Sequence, residues 1–190
     1  MNRLRFGTKE ILATIGGCAA VVFLQWLEMY FMRKSVLPAE AYHWVQLRVP
    51  VVAAIAVFFG PISGVLCGLG GELLVSTLFD PFLGYPEVLA LGLYGFFVGL
   101  YYGKLHYDIR HFSPRDFMDF NAVSIIVGLF CSMFFIPLAK FLVDNGDIYD
   151  SIAYGAKSIV GNSVVVGIMV PILMGLVSYI YGLHRRRGIT

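Results

Sequence analysis

Glu72 closes the apolar run FFGPISGVLCGLGGELL at 58 to 74, and Ser76 and Asp80 follow it at four-residue intervals. On a helix that spacing forms a slowly drifting ridge along one side. At about 1.5 Å of rise per residue, Glu72 lies roughly 16 Å from the start of a helix that opens at Pro61, which is mid-membrane if the run crosses a bilayer. A carboxylate at that depth must face a polar cavity, pair with a cation or be protonated. Two further polar sets flank other apolar runs: Tyr42, His43, Trp44, Gln46 and Arg48 before the second, and Tyr154, Lys157, Ser158 and Asn162 near the start of the last. The chemistry on offer is recognition, with rings such as Trp44, Tyr42, Tyr85 and Tyr94 for stacking and amide or charged groups for polar contacts. Lys157 reads equally as a partner for Glu72 or a ligand anion and as a lysine snorkelling to the interface. Gln25 and Glu28 either line the same cavity or approach the surface.

Other chemistries find no footing. The sequence holds no GxxxxGK[ST] loop, GxSxG elbow or HExxH pair, so neither an ATPase nor a hydrolase is expected. His43, His106, His111 and His184 do not fall at metal-ligand spacing, and Cys18, Cys67 and Cys131 sit apart inside apolar runs. No metal and no cofactor is therefore expected. The basic residues gather at the chain ends and in connections, which leaves no footprint for nucleic acid.

The elements that must position these residues are set by composition. Of 190 residues, 58% are hydrophobic and 14% charged, with a mean hydropathy of +0.78. The expected fold is an all-α integral membrane protein: a single domain over 1–190, built as a bundle of about six transmembrane helices. The spans are expected near 10–32, 47–59, 62–79, 87–103, 120–143 and 151–181. Gly60-Pro61 turns the second directly into the third, Pro137 is expected to kink the fifth, and the sixth must tilt, bend at Pro171 or outrun the bilayer. The first span carries polar residues and lacks a small-x-small cleavage pattern, so it is expected to be retained rather than removed as a signal peptide.

With an even span number, both termini and the 104 to 119 connection share one side and collect nine Lys and Arg against five on the other. Both termini are therefore expected to be cytoplasmic. Small residues three or four apart mark close helix contacts: Gly60, Gly64 and Gly68 leading into the third span, Gly92, Gly95 and Gly99 in the fourth, and Ala13 with Gly17 and Gly16 with Ala20 in the first.

VFFGPISGVLCGLGGELL at 57 to 74, ATIGGCAA at 13 to 20 and VGNSVVVGIMVPILM at 160 to 174 together resemble the S components, the substrate-binding membrane subunits of energy-coupling factor (ECF) vitamin transporters. The likeness extends over essentially the whole chain and is nearest the riboflavin-type group. It implies a six-helix subunit in the bacterial cytoplasmic membrane that captures a vitamin or cofactor precursor from outside. It also implies docking on a transmembrane coupling subunit joined to two ATP-binding cassette subunits, which hydrolyse the ATP. The family's first-helix docking motif maps to Ala13, Gly16, Gly17 and Ala20. That group tends to carry a histidine and, four residues on, an aspartate where this chain has Glu72 and Ser76. Its tryptophan-rich segment is FLGYPEV here, at 82 to 88. Riboflavin, cobalamin and a queuosine-type precursor therefore all stand as ligands. The alternatives are a small membrane enzyme acting on a lipid or isoprenoid through Glu72 or Asp80, and a purely structural subunit.

Overall fold

In the computed structural model the described residues are 7–34, 46–79, 85–104, 114–138, 141 and 147–186. Every element among them is helical: α1 (Thr8–Arg33), α2 (Arg48–Phe59), α3 (Pro61–Leu78), α4 (Tyr85–Lys104), α5 (Pro114–Phe130), which runs on into a π-helical turn (Cys131–Phe135), and α6 (Ile148–Arg186). Three stretches are long and apolar enough to cross a membrane, Thr8–Phe31, Pro61–Leu78 and Met118–Leu138, and shorter apolar helices cover Arg48–Phe59, Pro86–Tyr101 and Val160–Leu176. Large apolar side chains such as Leu12, Ile15, Leu78, Ile126, Phe134, Val160 and Ile172 point outward. A bilayer is the solvent such a surface suits.

The Gly60-Pro61 turn forms as the sequence predicts. Gly60 sits at φ +90°, a conformation that disfavours any side chain, and Pro61 opens α3 where its missing N–H needs no partner. The glycine ridge of α3 then meets that of α4. A Cβ added at Gly64 would lie 2.5 Å from the Gly95 carbonyl oxygen, one at Gly68 2.5 Å from that of Leu91, and one at Gly99 2.5 Å from the Pro61 Cα. These helices touch backbone to backbone, which is what small residues four apart permit. On the other side of α3, Gly71 receives Val21 of α1. The core between these helices is built from Val21, Val52, Ala53, Ala56, Cys67, Val75, Leu91 and Val98.

A π turn stands just ahead of Pro137, the position at which the sequence predicts a kink. The Ile136 N–H reaches back to the Cys131 carbonyl, and the wider turn absorbs the geometry that a proline imposes on the preceding residues. α5 begins at Pro114, earlier than the apolar run alone indicates. α6 runs 39 residues straight through Pro171, about 58 Å of helix and so longer than a perpendicular crossing needs.

The α3–α4 contact yields a direct test. Gly68→Ala should lower unfolding stability in detergent by roughly 1–3 kcal/mol, because the added methyl meets backbone that cannot step aside. Gly16→Ala, with nothing within 4 Å of its Cβ position, should be neutral. Equal melting temperatures for the two variants would refute the close contact.

Candidate functional site

One cavity lies among α2, α3, α4, α5, the π turn and α6, with about 650 Å³ of space, its open mouth included. Its polar wall includes Gln46, Glu72, Glu87, Tyr94, Ser124 and Asn162, with Ser132 and Ser163 beside them, and its apolar wall includes Val49, Leu91, Ile136 and Val166. Each polar residue arrives from a different place in the chain. Glu72 stands one turn beyond the Gly68 contact on α3, Glu87 and Tyr94 two turns apart on α4, Ser124 on α5 and Asn162 on α6.

Glu72 is buried and its Oε2 lies 2.9 Å from Nε of Arg48, which is buried as well. The cation the sequence analysis asked for thus comes from the first residue of α2. Arg48 in turn donates through Nη1 to Oε1 of Gln25 on α1. Removing two charges from water costs several kcal/mol each, so such a pair persists only where its remaining donors and acceptors are also met. Gln25 provides part of that satisfaction.

The start of α2 is held in a related way. A helix leaves its first N–H groups without partners, and Leu47 has no side-chain oxygen to cap them. The Glu28 carboxylate of α1 accepts from the Leu47 N–H, and Oδ1 of Asn162 on α6 accepts from the Gln46 N–H at 3.0 Å. Glu28 stands at the N-terminal, positive end of the α2 dipole. Asn162 therefore has two functions at once: its oxygen ties α6 to α2 while the residue lines the cavity.

At the α4–α5 side the buried hydroxyls of Tyr94 and Ser124 lie near one another on the cavity wall, and neither makes a hydrogen bond of normal geometry to a described residue. Buried polar groups on a cavity wall are available to a bound molecule.

Of the residues singled out from the sequence, Gln46, Glu72, Tyr94 and Asn162 line the cavity. Arg48 does not; it stands behind Glu72. Ser76 is half-buried one turn further along α3. Tyr42 and Trp44 lie outside the described residues, as do the side chains of Tyr85, Tyr154 and Lys157. Gln25 and Glu28, left between cavity and surface by the sequence, are buried behind the wall. Glu87 and Ser124 are wall residues that sequence reasoning missed. Glu87 reads there as an acid at a helix start and Ser124 as a small residue in an apolar run, and only the tertiary arrangement separates them from that use.

On α1 the small residues divide. A Cβ at Gly17 would meet Sγ of Cys67 at 2.7 Å, whereas Gly16 faces outward. Ala13 and Ala20 are half-buried between them.

The family model described as ECF-type riboflavin transporter, S component, matches residues 8–181. The chain belongs to that family. Relatives include a UPF0397 protein of Streptococcus gordonii, 28% identical over 169 residues that make up 89% of this chain and 87% of the relative. A UPF0397 protein of Streptococcus pneumoniae is 25% identical over 171 residues, 90% of each chain. No solved structure matches. As an S component the chain is a substrate-capture subunit of an ECF transporter, a membrane transport subunit and not an enzyme, which sets aside the lipid-enzyme alternative.

The buried pair predicts a particular pattern of stability. Arg48→Met alone should cost about 3–5 kcal/mol by leaving Glu72 uncompensated, and Arg48→Met with Glu72→Leu should recover most of that loss. Chemical unfolding of the three proteins in micelles measures it; a double variant no more stable than the single one would contradict the pairing.

Proposed function

We propose that this S component captures a vitamin or cofactor precursor from the outer side of the bacterial cytoplasmic membrane and passes it inward on an ATP-driven importer. The observation that carries the reading is the cavity itself, a largely apolar pocket with a cluster of polar groups on its wall, in a chain of this family. Riboflavin is the ligand that the family's description names; cobalamin and a queuosine-type precursor are the other two. The carboxylates of Glu72 and Glu87 and the hydroxyls of Tyr94 and Ser124 make the wall rich in acceptors, which suits a ligand presenting several N–H and O–H groups. Gln46, Glu72, Tyr94 and Asn162 are the proposed contacts, together with Glu87 and Ser124. Tyr42, Trp44, Tyr85, Tyr154 and Lys157 complete the set from the sequence side, with Ser76 at its edge.

The proposed topology is six membrane spans with both termini cytoplasmic. Its support is the asymmetry of Lys and Arg, nine against five, and the order of six helices, three of them long and apolar enough to span and three with shorter apolar stretches. The proposed partners are a transmembrane coupling subunit and two ATP-binding cassette subunits that hydrolyse the ATP. Docking would use α1. Within the small-residue motif the outward Gly16 would meet the coupling subunit, flanked by Ala13 and Ala20, while Gly17 serves the internal packing against Cys67.

Two experiments address these readings. Calorimetric titration of the purified chain with riboflavin, cobalamin and queuosine precursors should give saturable one-to-one binding of one of them; heats of dilution alone for every compound would overturn capture. Gly16→Leu should abolish co-purification with the coupling and ATPase subunits and leave ligand binding intact, whereas Gly17→Leu should lower the melting temperature of the isolated chain. Retained co-purification of Gly16→Leu would remove that face from the docking surface.

A further inference from the structure

α1 contributes no described residue to the cavity wall, yet it supplies two of the most deeply buried polar side chains in the protein, Gln25 and Glu28. Both are aimed at the start of α2. Gln25 accepts from Arg48 Nη1, and Arg48 Nε faces Glu72 Oε2 at 2.9 Å. Glu28, one turn further along α1, accepts from the Leu47 N–H, and the adjoining Gln46 N–H is held by Asn162. The two links end on cavity residues: Glu72 on one side, Gln46 and Asn162 on the other.

We propose that Gln25 and Glu28 are positioning residues for ligand binding, setting the orientation of the Glu72 carboxylate and of the Gln46–Asn162 rim from behind the wall without touching the ligand. The proposal rests on the reading of the cavity as the capture site. Arg48 is the intermediate. Its guanidinium is a rigid planar fork, so an acceptor on one edge fixes the direction of the donors on another. With Gln25 in place, the guanidinium is held beside Glu72, Nε 2.9 Å from Oε2, and the ion pair keeps the carboxylate at the cavity. Without it, the guanidinium loses one of the acceptors that fix its orientation, and the carboxylate's partner is held less firmly. Glu28 acts on the backbone instead: its carboxylate anchors the first free N–H of α2 and thereby the position of Gln46.

This arrangement gives α1 a hold on the cavity although its opposite side, at Gly16 and Ile15, faces out of the molecule. A displacement of α1 relative to α2 would be felt at Glu72 and Gln46 before any other wall residue. The coupling runs through four polar contacts and a helix terminus, a continuous physical path of the kind that a double-mutant cycle can measure.

The test uses Gln25→Met, which keeps the length of the side chain and deletes the acceptor, in the full chain in micelles. A first readout needs no ligand. Cys131 lines the cavity, whereas Cys67 is packed between α1 and α3 away from it. The rates at which methyl methanethiosulfonate modifies each thiol, resolved by peptide mass spectrometry, therefore separate a change in the cavity from general loosening. Gln25→Met should speed modification of Cys131 about fivefold or more and leave Cys67 unchanged, the scale expected for one lost buried acceptor. Unchanged Cys131, or both thiols rising together, would overturn positioning.

The second readout is riboflavin affinity by quenching of its fluorescence. Gln25→Met should weaken it about tenfold in the natural background and less than about twofold when Glu72 is already Gln, because the effect is routed through that carboxylate. Equal losses in both backgrounds would overturn the route. If riboflavin fails to bind the unaltered chain, the choice of ligand falls, while the thiol rates still decide the positioning.

Discussion

The buried pair of Arg48 and Glu72 is the constraint around which the rest of the site is arranged. Two charges withdrawn from water into a membrane-embedded bundle are tolerated only with close geometry and with further partners for the atoms left over. Those requirements draw α1, α2 and α3 into one fixed relation. Gln25 must be long enough to reach the guanidinium, Arg48 must stand at the first residue of its helix, and Glu72 must be one turn past the last close glycine contact. The polar end of the bundle is thus specified by side-chain chemistry, while the remainder is specified by the absence of side chains.

That second kind of specification belongs to the α3–α4 contact. Without a strong hydrophobic force between helices in lipid, association depends on surfaces that fit, and glycine lets carbonyl meet Cα directly. Gly64 with Gly95 and Gly68 with Leu91 bring the two axes so close that Glu72 and Glu87 both come to one cavity. The scaffold and the site are consequently not separable: the spacing that packs the helices also delivers the carboxylates.

Much of this was legible in the sequence. Glycines four apart foretold close contacts, Gly60-Pro61 foretold the turn, and the depth of Glu72 foretold a cavity or a cation, of which both are present. The partner was less legible. The sequence offered Lys157 as the cation and Arg48 as a ligand contact, and the geometry that instead puts Arg48 on Glu72 depends on where α2 starts relative to α3. Gln25 and Glu28 share a face of α1 by their three-residue spacing, but periodicity says nothing of what lies opposite that face. Ser124 and Glu87 were hidden for a similar reason, since one hydroxyl in an apolar run or one acid at a helix start has the same appearance whether it meets a ligand, a neighbour or the interface.

The backbone contact between α3 and α4 also bears on how the cavity can respond to what enters it. The side chains of Glu72, Glu87, Leu91 and Tyr94 that line the cavity are carried on two helices whose main chains touch just beside it, so that side of the cavity is stiffly backed. Across the cavity, the wall formed by α5, the π turn and α6 includes a widened helical turn and the Pro137 that follows it. The two sides of the cavity are thus built on different backbone geometries, close-packed glycine helices on one and a widened helical turn on the other.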